Sequence, residues 1–125
     1  MPPTPVAFFL EDDGSCPLLV WLDCLAPKIQ NKCIVRIERL AQFGDELGSP
    51  EAELLRDGIR ELRMSWQDMD YRVLYFFHRQ TAVLSHGFAK EGKIPNDEID
   101  RALYHKRLFQ TNPELHTYQE GESDD

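Results

Sequence analysis

Gly58-Ile59-Arg60-Glu61-Leu62-Arg63, then Asp70-Tyr71-Arg72-Val73-Leu74-Tyr75-Phe76-Phe77, then Val83-Leu84-Ser85-His86-Gly87-Phe88-Ala89-Lys90 decide how this chain folds. Their apolar and β-branched content predicts three successive strands, over residues 58–66, 70–78 and 81–90. The joins, Gln67-Asp68-Met69 and Arg79-Gln80, are short enough for hairpins. The middle strand carries aromatics on both parities, which predicts a central strand covered on both faces. Each strand also carries a cation among apolar neighbours: Arg63, Arg72 and Lys90. A charge in such a place is expensive unless it has a partner or a task.

Upstream, Val6-Ala7-Phe8-Phe9-Leu10 is a short apolar run closed by Glu-Asp-Asp-Gly, and reads as a buried first strand. Ser15 and Pro17 open a short helix over residues 18–25. Pro27 starts a second, since proline suits a helix's first turn. Ile29, Cys33, Ile34, Ile37 and Leu40 keep helical spacing on its inner face, and Lys28, Lys32, Arg36 and Arg39 form its wet face. Gly44 is placed to end it. Residues 45–53, with Gly48-Ser49-Pro50, read as a loop.

Downstream, Asn96 is positioned to cap a last helix, with Asp97 and Glu98 in the first turn, where acids favour the helix dipole. Ile99, Leu103 and Leu108 give it an apolar face. The predicted order is β-α-α-β-β-β-α, an α+β domain over residues 1–112 with the two early helices packed on a small twisted, mainly antiparallel sheet. Residues 113–125 are acid-rich and are predicted to form a disordered tail.

At 125 residues with 42% apolar content, one compact core is the expectation. No apolar run approaches the roughly 18 residues of a membrane span. The start, Met1-Pro2-Pro3-Thr4-Pro5, lacks a signal peptide's basic and apolar regions, so a cytoplasmic protein with no membrane partner is expected. Cys16, Cys24 and Cys33 are odd in number and match no zinc spacing; all three read as reduced packing residues. The four histidines are scattered, no glycine-rich phosphate loop is present, and Ser15 and Ser85 have no nucleophile setting, so no metal and no cofactor are expected.

The 22 acids against 14 bases oppose a nucleic-acid partner, but their distribution is uneven. Glu11-Asp12-Asp13 and Glu120, Glu122, Asp124 and Asp125 put seven acids near the ends. Between Arg56 and Arg107 there are ten Lys/Arg and eight Asp/Glu. Within that segment Arg63 reads either as a site cation or as half of a cross-strand salt bridge to Glu61 or Asp70. Arg72, on the central strand, has its stem packed and its planar fork pre-aimed; a buried ion pair and a phosphate contact both fit it. Lys90 shares strand parity with His86 and leads into Glu91-Gly92-Lys93. A lone histidine on a strand is more often structural than a participant, and His78, His105 and His116 read as solvated.

Taken in order, Leu55 through Arg63, Tyr71-Arg72-Val73-Leu74-Tyr75, Val83 through Lys90 and Ile94 through Ala102 resemble the phage-derived HigB-like branch of the RelE/ParE toxin superfamily. Val20 through Leu25 fits that branch's short first helix, and the resemblance spans about residues 5–110. It implies the toxin of a type II toxin–antitoxin pair, an endoribonuclease that cleaves messenger RNA on the ribosome and inhibits translation. It implies Arg63, Arg72 and Lys90 as catalytic residues and a HigA-like helix-turn-helix antitoxin as partner; beside them, His86 and Lys93 are expected as RNA contacts. The implied reaction is attack of a ribose 2′-hydroxyl on its neighbouring phosphate. Two departures stand out: Glu91 follows Lys90 where relatives often carry a second base, and this chain is acidic where relatives tend to be basic. Both weaken phosphate neutralisation. A noncatalytic ParE-like toxin and a degenerate toxin-fold module that only binds protein are the alternatives.

Overall fold

The computed structural model describes residues 3–119. Its elements are β1 (Val6–Phe8), α1 (Pro17–Asp23), α2 (Pro27–Phe43), a 3₁₀ turn (Gly44–Glu46), β2 (Ala52–Arg56), β3 (Ile59–Trp66), β4 (Met69–His78), β5 (Thr81–Ala89) and α3 (Asn96–Thr111). The five strands form one open sheet in the order β1-β5-β4-β3-β2. β1 runs parallel to β5, and every other pairing is antiparallel. This is the α+β architecture expected from the sequence, and it is consistent with a RelE-like fold. Among the described residues no helix is long and apolar enough to cross a membrane.

β4 is central, as its aromatics required. Tyr75 and Val73 face α1 and α2, packing with Leu18, Leu22, Ile29, Cys33 and Leu40. Leu74 and Phe76 face the other way, onto Ile99, Ala102 and Phe109 of α3. α1 approaches β5 at Gly87, where the Trp21 ring occupies the space a Cβ would need. On α3 the buried set is Ile99, Ala102, His105 and Phe109, with Leu103 and Leu108 half-covered beside it. The helix is turned slightly from the expected phase because a histidine sits in the middle of its inner face.

Pro95, not Asn96, stands at the N-cap of α3, with no side-chain cap bond, and two sequence expectations about which segments pack are corrected as well. The region read as a loop ends in β2, an edge strand that hairpins onto β3. Asp57 and Gly58 both take positive φ, the pattern of a two-residue hairpin turn. Glu51 to Arg56 is rich in helix formers, so local propensity argued against a strand; the Asp-Gly turn and the backbone of β3 overrule it. The second correction concerns the segment from residue 113, which is not a free tail throughout. His116 is buried, donates from Nδ1 to the Leu10 carbonyl at 2.8 Å and stacks on Phe9. Thr117 bridges Phe9, and the Tyr118 N–H donates to the Phe8 carbonyl at 2.9 Å. These contacts cover the outer edge of β1, whose backbone groups need partners. Residues 120–125 lie outside the described residues.

Truncation after Pro113 should therefore lower the melting temperature by roughly 5–10 °C, the scale of losing a stacked ring and a few hydrogen bonds from a domain this size. Differential scanning calorimetry of the two chains checks this; equal melting temperatures would show the segment to be dispensable.

Candidate functional site

α3 covers only part of its side of the sheet. The part left open has Glu53 of β2, Arg63 of β3, Asp70 of β4 and Phe88 at the end of β5, with Lys90 just beyond it, while Glu61 of β3 and Arg72 of β4 lie buried in its floor. The register explains the grouping. Arg63 lies directly opposite Arg72, Arg72 lies opposite Phe88, and the Lys90 N–H donates to the Asp70 carbonyl at 2.9 Å. Three adjacent strands thus bring the three sequence-selected cations to one end of one face.

Each side chain there has a distinct setting. Arg72 is buried, 5% exposed, and its Nη1 donates to Glu61 Oε1 at 2.6 Å. Glu61 is itself only 4% exposed. The second prong of Arg72 donates to the Gly92 carbonyl at 3.2 Å, and Asp70 stands 4.0 Å away. Arg63 pairs with Glu53 at 3.2 Å, neither Glu61 nor Asp70 being its partner, and its side chain keeps 38% exposure. Lys90 and Lys93 are exposed. Beside Arg63 an open cleft of about 320 Å³ is lined by Arg36, Glu51, Arg63, Ser65, Asp70 and Arg72 among others. Arg36 of α2 donates to the Arg63 and Glu51 carbonyls, and Arg39 grips the Glu51 carboxylate with two bonds. That grip holds the Glu51 carboxyl below the usual range. The open face therefore sets three cations against Glu53, Glu61 and Asp70, and is locally neutral.

His86 is not available as an RNA contact. It is 1% exposed and faces α3, where Nε2 meets Glu98 Oε1 at 2.9 Å. His105 and His116 are buried as well, contrary to the solvated reading, and His78 is half-buried with its ring against Phe109. Cys33 packs in the core, and burial pushes its thiol up to about 11, but Cys24 is exposed.

The polar residues that sequence reading missed form a continuous chain. Leu74 pairs with His86 and Tyr75 with Leu84, so Ser85 is the extra residue of a bulge in β5. The bulge breaks alternation and turns Ser85 and His86 to the same side. Ser85 Oγ lies 2.8 Å from His86 Nδ1 and 2.7 Å from His105 Nδ1, and His105 Nε2 lies 3.1 Å from Glu11 Oε2. Ser85 has no solvent exposure, which excludes it as a nucleophile toward an outside substrate. Burial, helped by the charge of Arg101, pushes His86 down to about 3; burial, with His86, Arg101 and His116, does the same to His105. Burial raises the Glu11 and Glu98 carboxyls. Among the described residues no group of three or more His, Cys, Asp or Glu is arranged to hold a metal ion.

Two outcomes follow from this geometry. Removing one member of a buried pair strands the other, so Arg72→Ala should cost about 3–5 kcal/mol in urea unfolding. A loss below about 1 kcal/mol would show that Glu61 is solvated. The two depressed rings contribute stability that is complete above the unfolded histidine value near 6.5. It is lost as pH falls from there toward 3, because the unfolded chain takes up protons first. The raised carboxyls oppose this above their unfolded value near 4.5, since there the folded chain holds their protons first. Urea midpoints should fall between pH 6.5 and pH 4.5, and replacing both histidines by glutamine should flatten that fall.

A comparison with curated proteins finds no match. A family model, Phage derived protein Gp49-like (DUF891), matches residues 20–107, from α1 through most of α3. Those limits enclose Arg63, Arg72, Lys90 and the loop that follows, with four of the five strands and the covering helices. By a match over well more than half its length, this chain belongs to the Gp49-like family of phage-derived proteins.

Proposed function

We propose that this chain is the toxin of a type II toxin–antitoxin pair and that it cleaves messenger RNA presented by the ribosome. The observation that supports this reading is the grouping of Arg63, Arg72 and Lys90 on the part of the sheet that α3 leaves open, beside a polar cleft, in a member of the Gp49-like family. Cations aimed where charge develops are the main source of rate in phosphoryl transfer. In the reaction a ribose 2′-hydroxyl attacks the adjacent phosphorus and loses its proton. The bond to the 5′-oxygen breaks, that oxygen takes up a proton, and a 2′,3′-cyclic phosphate remains.

Burial divides the roles. Arg63, partly exposed at the cleft, holds the phosphate by exchanging Glu53 for it. Lys90, exposed at the strand end, supplies charge and moves the proton, since His86 and His105 are sealed inside. Arg72 acts as a positioning residue: Glu61 fixes one prong, and the other holds the Gly92 carbonyl in the loop that carries Lys93. A small HigA-like helix-turn-helix antitoxin that silences this toxin lies across the same face.

A noncatalytic, protein-binding toxin is the second reading, and the pairing of Arg72 with Glu61 and of Arg63 with Glu53 favours it. A translating extract separates the two. Cleaved messages ending in a cyclic phosphate, with a loss of roughly a hundredfold for Arg63→Ala or Lys90→Ala at unchanged melting temperature, support the nuclease. Translation arrest with intact messages overturns it in favour of the binding module.

A further inference from the structure

Glu98, His86, Ser85, His105 and Glu11 form a line of five groups with four contacts, at 2.9, 2.8, 2.7 and 3.1 Å. At such distances each contact needs one proton between its two heavy atoms, because two facing lone pairs repel. Two neutral imidazoles and one hydroxyl supply three protons. Ionised carboxylates supply none. Four contacts need four, so the line is one proton short unless it carries an extra one.

We infer that this line, buried at its Ser85–His86–His105 centre and partly exposed at its two carboxyl ends, holds one shared proton, on the Glu11 carboxyl, and that the proton latches β5 to α3. The order of donation then has one solution. Glu11 donates to His105 Nε2, His105 Nδ1 donates to Ser85 Oγ, Ser85 donates to His86 Nδ1, and His86 Nε2 donates to the ionised Glu98. The two histidines are therefore in opposite tautomers, and the line has a net charge of −1.

The surroundings place the proton at the Glu11 end. On the loop after β1, Glu11 stands next to Asp12 and Asp13, whose charges favour its neutral form; on α3, Glu98 has only Asp97 in that role. Arg101 of α3 acts on Glu11, Glu98, His86 and His105 alike and balances the remaining charge. His116 faces His105 from the far side of Phe9, its charge favours the ionised form of Glu11 against the effect of Asp12 and Asp13, and it is itself 3.6 Å from Asp12. Just past the end of α1, exposed Cys24 lines the same groove as Glu11 and Arg101. Phe9 stacks on His105 at 4.0 Å and seals that ring from water.

The consequence is a pH-sensitive joint. When the shared proton leaves, His105 turns its single proton to the ionised Glu11. Ser85 Oγ then faces two Nδ1 acceptors with one hydrogen, and because that hydrogen already goes to His86, the Ser85–His105 bond that joins β5 to α3 is lost. The loop that carries Lys90 and the Gly92 carbonyl hangs between these two elements.

Ring-nitrogen NMR of the ¹⁵N-histidine-labelled full chain tests this directly. At pH 5.5 His105 should be the neutral Nδ1–H tautomer and His86 the neutral Nε2–H tautomer, and by pH 8 His105 should move to Nε2–H. Both rings in the same tautomer at pH 5.5, or an imidazolium at either, overturns the assignment. In Glu11→Gln the amide N–H₂ replaces the shared proton permanently. That variant should keep opposite tautomers up to pH 8 and melt a few degrees above wild type there, the difference shrinking at pH 5.5. A His105 that still changes tautomer in Glu11→Gln also overturns the proposal.

Discussion

Everything on the open face follows from the demand that β4 be buried on both sides while carrying a guanidinium. Tyr75 and Phe76 must point to opposite helices, which fixes the parity of the strand and sends Arg72 to the α3 side. A one-residue slip would exchange the two faces and bury the wrong set. Once Arg72 is buried, its charge needs a partner within reach, and the β3 register supplies Glu61. Register and ion pair therefore specify each other. An apolar pair of the same volume could be as stable; the ionic pair also fixes a direction, since the second prong of Arg72 reaches the Gly92 carbonyl and orders the turn after β5.

What was legible in the sequence was what periodicity carries. The three long strands, their hairpins, the proline-started helices and the cap at Gly44 all have local signatures, and each lies within a residue or two of its expected place. β2 was missed because its residues favour a helix and only the Asp57-Gly58 turn announced a strand. That signal was present and outranks propensity. The return of residues 113–119 to β1 had no such signal, because it depends on one histidine meeting a carbonyl and a phenyl ring distant in sequence.

The candidate site was half legible. Alternation placed Arg63 beside Glu61 and Arg72 beside Leu74 and Phe76, and β3 and β4 pair without interruption between residues 60 and 66, which sets the two arginines opposite each other. The buried line was invisible for the opposite reason. A bulge at Ser85 cancels alternation where it would have had to be used, and a bulge leaves no mark in composition. His105 sat at the centre of a helix face, where a pattern search for apolar residues reads a gap. Histidine was judged by its charge, although in a dry setting it behaves as a flat neutral ring with one donor and one acceptor.

The two polar systems on the α3 side meet the cost of burial by different means. Arg63, Arg72 and Lys90 stand against Glu53, Glu61 and Asp70, three charges of each sign, so the face is neutral although the chain carries −8. Local field, set by neighbours a few ångströms away, therefore governs what the face can bind more than net charge does, because salt screens charges beyond roughly 8–10 Å. An incoming phosphate at Arg63 exchanges one anion for another rather than filling a bare site, so binding rests on geometry and on the doubly pronged fit of a guanidinium. Around Ser85 the matching is done with protons instead, and the same rule applies: each buried atom must have its partner counted. An acidic chain can therefore present an arginine pair and bury two histidines in one small fold without leaving a charge uncompensated.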